Sequence, residues 1–222
     1  MCSSPGRSMA MKTMLLTILM LCWPISGWTF DGTFYTQVNA GAGLLNDADN
    51  SSADGTFITE SDPGVMASLS LGYALPESSA YHGGRVEIEA AWRQNAVDKV
   101  EFAEGKFAGD GDITAWSLLL CSYGERRNRT PWTPYFGAGL GIASISLDTV
   151  TVAGSPLADD DDLVLAYQVG LGVDYEFSPR WKLDLGYRYF GTTSPSFKDA
   201  TGEEFDGEYD NHSFMVGLRA SF

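Results

Sequence analysis

The sequence predicts an all-β chain, an eight-stranded antiparallel up-and-down barrel, and three observations predict it. Apolar and polar residues alternate with a period of two in long separate stretches, the connections between the stretches alternate long and short, and the acids concentrate in the long connections. Period two sustained over nine or more residues is a strand with one apolar face. Helical periodicity is nowhere convincing.

The strands are expected over 33–45, 64–76, 84–95, 112–124, 132–148, 162–177, 181–191 and 212–222. In the second, Val65, Ala67, Leu69, Leu71 and Tyr73 alternate with Met66, Ser68, Ser70 and Gly72; in the third, Val86, Ile88, Ala90 and Trp92 alternate with Glu87, Glu89, Ala91 and Arg93. The sixth carries Leu165, Tyr167, Val169, Leu171, Val173, Tyr175 and Phe177, the seventh Trp181, Leu183, Leu185, Tyr187 and Tyr189, and the last Phe214, Val216, Leu218, Ala220 and Phe222. The first and fifth hold glycines at alternate positions, Gly41 and Gly43, then Gly137, Gly139 and Gly141. A phosphate-binding glycine loop must open a helix after a strand, so these glycines are not one. As small inward residues they leave room for long side chains crossing a narrow lumen.

Connections of 18, 7, 16, 7, 13, 3 and 20 residues follow from these bounds, the layout of an up-and-down barrel with long loops at one end. The four long connections hold 18 acids and 3 bases, the three short ones 2 acids and 4 bases, so the two ends differ chemically. The other face of the strands carries Glu87, Glu89, Arg93, Asp174, Glu176, Lys182, Asp184, Arg188 and Arg219. Mid-strand charges in this number suit a closed polar lumen with lipid outside, which argues for a transmembrane barrel over a soluble carrier with an apolar interior. Aromatics cluster at strand ends: Phe34, Tyr73, Trp132, Phe177, Trp181 and Phe222 at the short-turn end, Trp92, Trp116, Tyr189 and Phe214 at the other. Two such girdles match the two interfaces of a bilayer.

Composition narrows the classes further. The 222 residues carry 14 Lys plus Arg against 29 Asp plus Glu, a formal charge of −15, which argues against gripping nucleic-acid phosphates. With 44% hydrophobic residues and 28 aromatics the chain is not disordered, and 3 Cys do not make a disulfide scaffold. Met14 to Trp23 is a short apolar run preceded by Arg7 and Lys12, with no acid before Asp31. It reads as a secretory signal peptide over 1–27, cut after Gly27 and better started at Met11 than Met1, which leaves 28–222 as the barrel. A lipoprotein reading of Cys22 would want a small residue where Leu21 stands. After the cut only Cys121 remains, a small hydrophobe without assigned chemistry.

Three stretches carry a family resemblance: Pro134 to Gly141 (PYFGAGLG), Ala166 to Tyr175 (AYQVGLGVDY) continuing through Trp181 to Tyr187-Arg188-Tyr189-Phe190, and the ending on Phe222. Together the chain resembles the small outer-membrane β-barrel family, the eight-stranded porin-family or opacity-type surface proteins of Gram-negative bacteria. The resemblance implies the cell outer membrane, with the N-terminus and short turns periplasmic and the long acidic loops extracellular. It also implies that Phe214, Val216, Leu218, Ala220 and Phe222 form an assembly signal for the machinery that folds barrels into that membrane. Such folds host adhesins, small pores and lipid-modifying enzymes alike, so function rests on the residues.

An eight-stranded lumen is just wide enough for side chains to fill. The nine inward charges named above are nearly balanced and predict an ion-pair network concentrated in the short-turn half. Opposed residues share a face, so Phe177 is expected to pair with Trp181 around Ser178-Pro179-Arg180. That register sets Glu176 opposite Lys182, Asp174 opposite Asp184 and Gly170 opposite Arg188. The like-charged Asp174 and Asp184 need a cation, from Lys182 or Arg219.

No catalytic residue is assigned. The two His after the signal, His82 in a turn and His212 beside Ser213, form no nucleophile and base pair, because neighbours on a strand face opposite ways. No cofactor is implied. Asp159, Asp160, Asp161 and Asp162 are the weak metal candidates, but they match no calcium-loop spacing and read first as a solvated, repulsive face. The expected function is a non-enzymatic, monomeric barrel with a structural or surface-interaction role. Its partners are outer-membrane lipids, lipopolysaccharide and the assembly machinery, with divalent cations or an extracellular ligand at the loops; nucleic acid is not among them. A narrow pore for ions or small solutes is the alternative, and a lipid A-modifying enzyme the third reading.

Overall fold

The computed structural model describes residues 32–46, 48–52, 55–76, 83–102, 105–152, 155–199 and 202–222; the expected signal segment 1–27 and His82 lie outside them. The described residues form twelve strands: β1 (Thr33–Leu45), β2 (Ala48–Ser52), β3 (Gly55–Ser61), β4 (Gly64–Leu75), β5 (Gly84–Phe102), β6 (Gly105–Glu125), β7 (Trp132–Val152), β8 (Ser155–Ser178), β9 (Trp181–Thr192), β10 (Ser196–Lys198), β11 (Glu204–Asp206) and β12 (Asp210–Ser221). Among the described residues there is no helix.

Eight of the strands close a ring. β1 pairs with β4, and pairing continues antiparallel through β5, β6, β7, β8, β9 and β12. β12 returns to β1, with Val38 opposite Leu218 and Ala40 opposite Val216. Closure satisfies every edge within the wall, which hydrocarbon demands because it offers no water to a backbone N–H or C=O. Alternation sorts the side chains: Leu120 is 61% exposed on the outer face while its neighbour Leu119, 1% exposed, faces in.

The girdle aromatics meet across strands. Phe34 lies 5.0 Å from Tyr73, and Trp132 4.6 Å from Tyr175, at the short-turn end. At the other end Trp92 lies 6.4 Å from Trp116, and Tyr187 5.2 Å from Phe214. Trp92 and Trp116 are direct cross-strand partners, as are Tyr187 and Phe214. Such pairs stabilise a sheet locally while their polar edges suit the headgroup layer.

The long connections depart from expectation. Strands expected to stop at 95, 112, 148 and 162 continue to Phe102, Gly105, Val152 and Ser155, so two of the four expected loops are the upper parts of hairpins. Register shifts after Ala96 and after Leu147 explain why the pattern hid them. A bulge inserts a residue and slips the period by one, so alternation breaks in the sequence although Val97, Val100, Ile113, Ile145 and Val150 all stay buried. The connections 46–63 and 192–211 are likewise not plain loops. They supply β2, β3, β10 and β11, which pair in the order β10-β11-β2-β3 and join the barrel through β3 on β5.

The β8–β9 hairpin holds Asp174 opposite Asp184, Gly170 opposite Arg188 and Glu176 opposite Lys182. Its tip corrects the expected pairing of Phe177 with Trp181. A bulge after Glu176 sets Ser178 opposite Trp181, and the turn is the two residues Pro179 and Arg180. The extra residue lets Phe177 and Trp181 both point outward without facing each other.

Some inward glycines sit beneath an aromatic ring, as Gly72 and Gly172 do. A Cβ at Gly72 would fall 2.2 Å from the Tyr35 ring. We predict that Gly72→Val pushes that ring aside, breaks its hydrogen bond to Glu87 and lowers unfolding stability by ~1–3 kcal/mol, as overpacking does. Urea titration of the refolded barrel measures it, and an unchanged midpoint would refute the close fit.

Candidate functional site

The lumen is built in layers, and the layer nearest the short turns is centred on Arg85. This side chain is fully buried; its Nε donates to Glu87 at 2.6 Å and its Nη1 to Glu125 at 2.9 Å and Asp174 at 3.4 Å. Arg219 on β12 reaches Asp174 at 3.0 Å and Glu125 at 3.5 Å, and its Nε donates to Gln37 at 2.8 Å. Two guanidiniums thus hold three carboxylates. Aromatic rings cover the cations: Arg85 lies 4.1 Å from the Tyr135 centroid and 4.5 Å from Tyr123, and Arg219 lies 4.6 Å from Tyr35. The Tyr35 hydroxyl donates to Glu87 at 2.6 Å. At the rim, half-buried Arg127 grips Glu125 through Nε at 3.0 Å and Nη2 at 2.9 Å.

Asp184, opposite Asp174 on β9, accepts from the Tyr135 hydroxyl at 3.0 Å, and Arg188 donates to the same hydroxyl at 3.2 Å. Next, Arg93 donates to Ser117 at 3.1 Å and Gln168 at 3.0 Å, and Gln168 donates to Glu89 at 3.0 Å. The Arg93 guanidinium lies 4.0 Å from the Phe190 ring centroid, a plane of cation on aromatic across the bore. Asn95, Asn211 and Ser213 form a neutral polar layer beyond it, with Asn95 donating to the carbonyls of Gly43 and Asp62.

Seven of the nine expected lumen charges, Glu87, Glu89, Arg93, Asp174, Asp184, Arg188 and Arg219, are buried inside the wall. Glu176 and Lys182 instead pair with each other at 3.2 Å at the mouth, Glu176 46% exposed. The cations at Asp174 are therefore Arg219 and Arg85, and Lys182 is not one of them. Arg85 and Glu125 went unrecognised although the pattern contained both. Arg85 lies one step before the expected alternation of Glu87, Glu89, Ala91 and Arg93, and Glu125 one residue past the expected strand end.

The opposite end is covered by the small sheet. Phe197, Phe205, Phe57 and Phe102 pack in a row, with successive ring centroids 5.7, 5.5 and 5.4 Å apart. Beneath them lie Val97, Ile113, Ile145, Val150 and Tyr209, around a free space of about 30 Å³, room for one water. Burial pushes the Tyr209 phenol up to about 12. On the surface, Lys106 sits 2.5 Å from Glu60 and 3.0 Å from Glu101, which raise its ammonium above the ordinary lysine range.

The acidic run has a structural use. Asp162 accepts from the Ser196 N–H and Asp160 from the Lys198 N–H, both at 2.9 Å, so two carboxylates tie β10 to the barrel. No group of three or more metal-ligating side chains occurs among the described residues. His212 is bonded through Nδ1 to the Tyr187 hydroxyl at 2.6 Å on the outside, while Ser213 donates inward to Asn211 at 2.7 Å. Of the expected assembly-signal residues, Phe214, Val216, Leu218 and Phe222 are exposed on the outer face and Ala220 is half-buried.

The model of the outer membrane protein beta-barrel domain matches residues 15–222. An uncharacterized protein of Brucella abortus is 32% identical over 37% of this chain and 32% of its own length. Major surface antigen 4 of Anaplasma marginale is 26% identical over 62% of this chain and 52% of its own length, and the outer membrane protein PagN of Salmonella typhimurium 26% over 48% and 49%. The chain thus spans about a third to a half of the length of these relatives. Among solved structures, OprG of Pseudomonas aeruginosa covers 86% of this chain and 96% of its own at a TM-score of 0.55 and 19% identity. Neisserial surface protein A covers 85% and 97% at 0.50 and 22%. These two likenesses concern the fold.

We predict that Arg85→Met leaves buried Glu87 with no ion-pair partner among the described residues and takes one of their cations from Glu125 and Asp174, at a cost of ~3–5 kcal/mol, the scale for breaking a buried pair from one side. The denaturation midpoint of the refolded variant measures this. A change within experimental error would refute the central place given to Arg85.

Proposed function

The chain belongs to the outer membrane β-barrel domain family, and from that premise we propose that it is a monomeric barrel with a structural or surface-interaction role and a sealed lumen. The observation that carries this reading is the plane of Arg93 on Phe190, set between the Arg85 network on one side and the aromatic cover on the other. A wetted path through the bore would have to part all three. An ion-selective wall more often carries an excess of one sign, whereas the buried lumen charges named above are four arginines and five carboxylates, a near balance.

The short turns face the periplasm in this reading, and the acidic long connections face outward. Support comes from the unequal charge of the two ends and from the two aromatic girdles. The Anaplasma relative carries the name of a surface antigen, which agrees with contact through the outer connections. Lipopolysaccharide surrounds that end, and divalent cations bridge its phosphates to exposed carboxylates such as Asp159 and Asp161. The outer face of β12, ending on Phe222, serves the assembly machinery. The role is non-enzymatic: Tyr187 holds His212 on the lipid side of the wall, away from Ser213.

Planar-bilayer recording of the refolded barrel tests the seal. The parent is expected to be silent and Arg93→Ala to leak, because the alanine removes the cation that spans to Gln168 and Phe190. Steady parent conductance would replace this reading with the narrow pore. For orientation, protease added to intact cells is expected to cut within 46–63 or 192–211 and spare 125–131. Cleavage at 125–131 alone would invert the topology.

A further inference from the structure

The short-turn end carries a surface that the lumen does not use. In the turn 126–131 Arg127 folds inward onto Glu125, while Arg126 and Arg129 are exposed; Arg180, also exposed, forms the tip of the β8–β9 turn. None of Arg126, Arg129 and Arg180 has an ion-pair partner among the described residues. The nearby acids are engaged elsewhere, Glu125 with buried arginines and Glu176 with Lys182.

Both turns are held in place. The Arg126 N–H donates to the Pro134 carbonyl and the Thr130 N–H to the Asn128 side chain, at 2.9 and 2.8 Å. The Glu176 N–H donates to the Pro131 carbonyl at 2.9 Å, joining the first turn to the strand that leads into the second. The Ser221 N–H donates to the Arg180 carbonyl at 2.8 Å. A partly exposed Trp follows each turn: Trp132 directly after Pro131, and Trp181 directly after Arg180. Tryptophan at a strand end marks the headgroup level; Arg126 stands opposite Pro134 at the end of its strand, and Arg129 and Arg180 lie in the turns next to Trp132 and Trp181, which puts the three guanidiniums within reach of the phosphate layer.

We propose that Arg126, Arg129 and Arg180 form a docking surface for anionic phospholipid, binding headgroup phosphates of the leaflet at the short-turn end. The hydrogen-bonded turns fix the backbone from which the three cations project, and arginine's fork matches phosphate oxygens. The lipid identity follows from that position: a phosphate carried on a diacyl chain anchored beside Trp132 and Trp181 meets the guanidiniums, whereas a dissolved one has no such anchor. This inference rests on the membrane insertion proposed above.

The test uses the barrel purified from membranes into mixed nanodiscs of phosphatidylglycerol and phosphatidylcholine, with retained lipid counted by native mass spectrometry. Phosphatidylglycerol is expected to be retained at least about fivefold over its share, the effect of roughly one cation near an anionic surface. Arg126→Gln/Arg129→Gln/Arg180→Gln should abolish the preference, Lys99→Gln/Lys198→Gln at the other end should keep it, and added inorganic phosphate should not displace the lipid. Equal retention of the two lipids, survival of the preference in the triple variant, or displacement by inorganic phosphate would overturn the proposal. A heat-dependent gel shift checks insertion separately. Should the triple variant not show that shift, the single Arg129→Gln and Arg180→Gln variants take its place: each must lower the ratio, and a ratio unchanged in either overturns the proposal.

Discussion

Arg85 is a cation fully enclosed by protein, and three carboxylates from β5, β6 and β8 converge on it. Enclosure keeps bulk solvent from compensating a charge there, so each charge needs its partners at hydrogen-bond distance or the closed state loses several kcal/mol. That requirement ties together strands far apart in sequence. Glu125 answers Arg85, Arg219 and Arg127 at once, and Asp174 answers Arg85 and Arg219. The register of the whole ring is thereby constrained, because a slip of one residue would turn each of these groups into lipid.

The two faces of the wall obey opposite rules with the same backbone. Outside, residues such as Leu120, Phe136 and Leu140 need only be apolar, since hydrocarbon does not distinguish their exact packing. Inside, long side chains must interdigitate, and small residues make the space. Gly72 lies under Tyr35, and Gly172, whose added Cβ would fall 2.4 Å from the Tyr135 hydroxyl, under Tyr135. Those two tyrosines in turn stack on Arg219 and Arg85. Glycine, ring and guanidinium form one stack from wall to axis.

The two ends use charge differently. Short turns expose arginines beside tryptophans, whereas the other end carries most of the acids on connections that fold into a cover. In that cover, carboxylates act as backbone acceptors: Asp160 and Asp162 stand where a neighbouring strand's carbonyls would otherwise receive β10. Phenylalanines close the inner side, and the bore ends in an apolar cap.

The sequence alone determined the architecture, because period-two alternation is a local property of each strand and survives without knowledge of any neighbour. It placed eight strands, their facing, the girdles and most of the buried charges, and it set Asp174 opposite Asp184 from one hairpin. Tertiary structure decided which cation meets which carboxylate. Arg85 with Asp174 and Arg219 with Glu125 join residues 89 and 94 positions apart, and such distances depend on how far each side chain reaches across the closed ring. It also decided the cover: β-bulges after Ala96 and Leu147 erase the period, and β2, β3, β10 and β11 are too short to show one. Alternation records the face a residue takes on its own strand, whereas a partner across the lumen is set only when the ring closes.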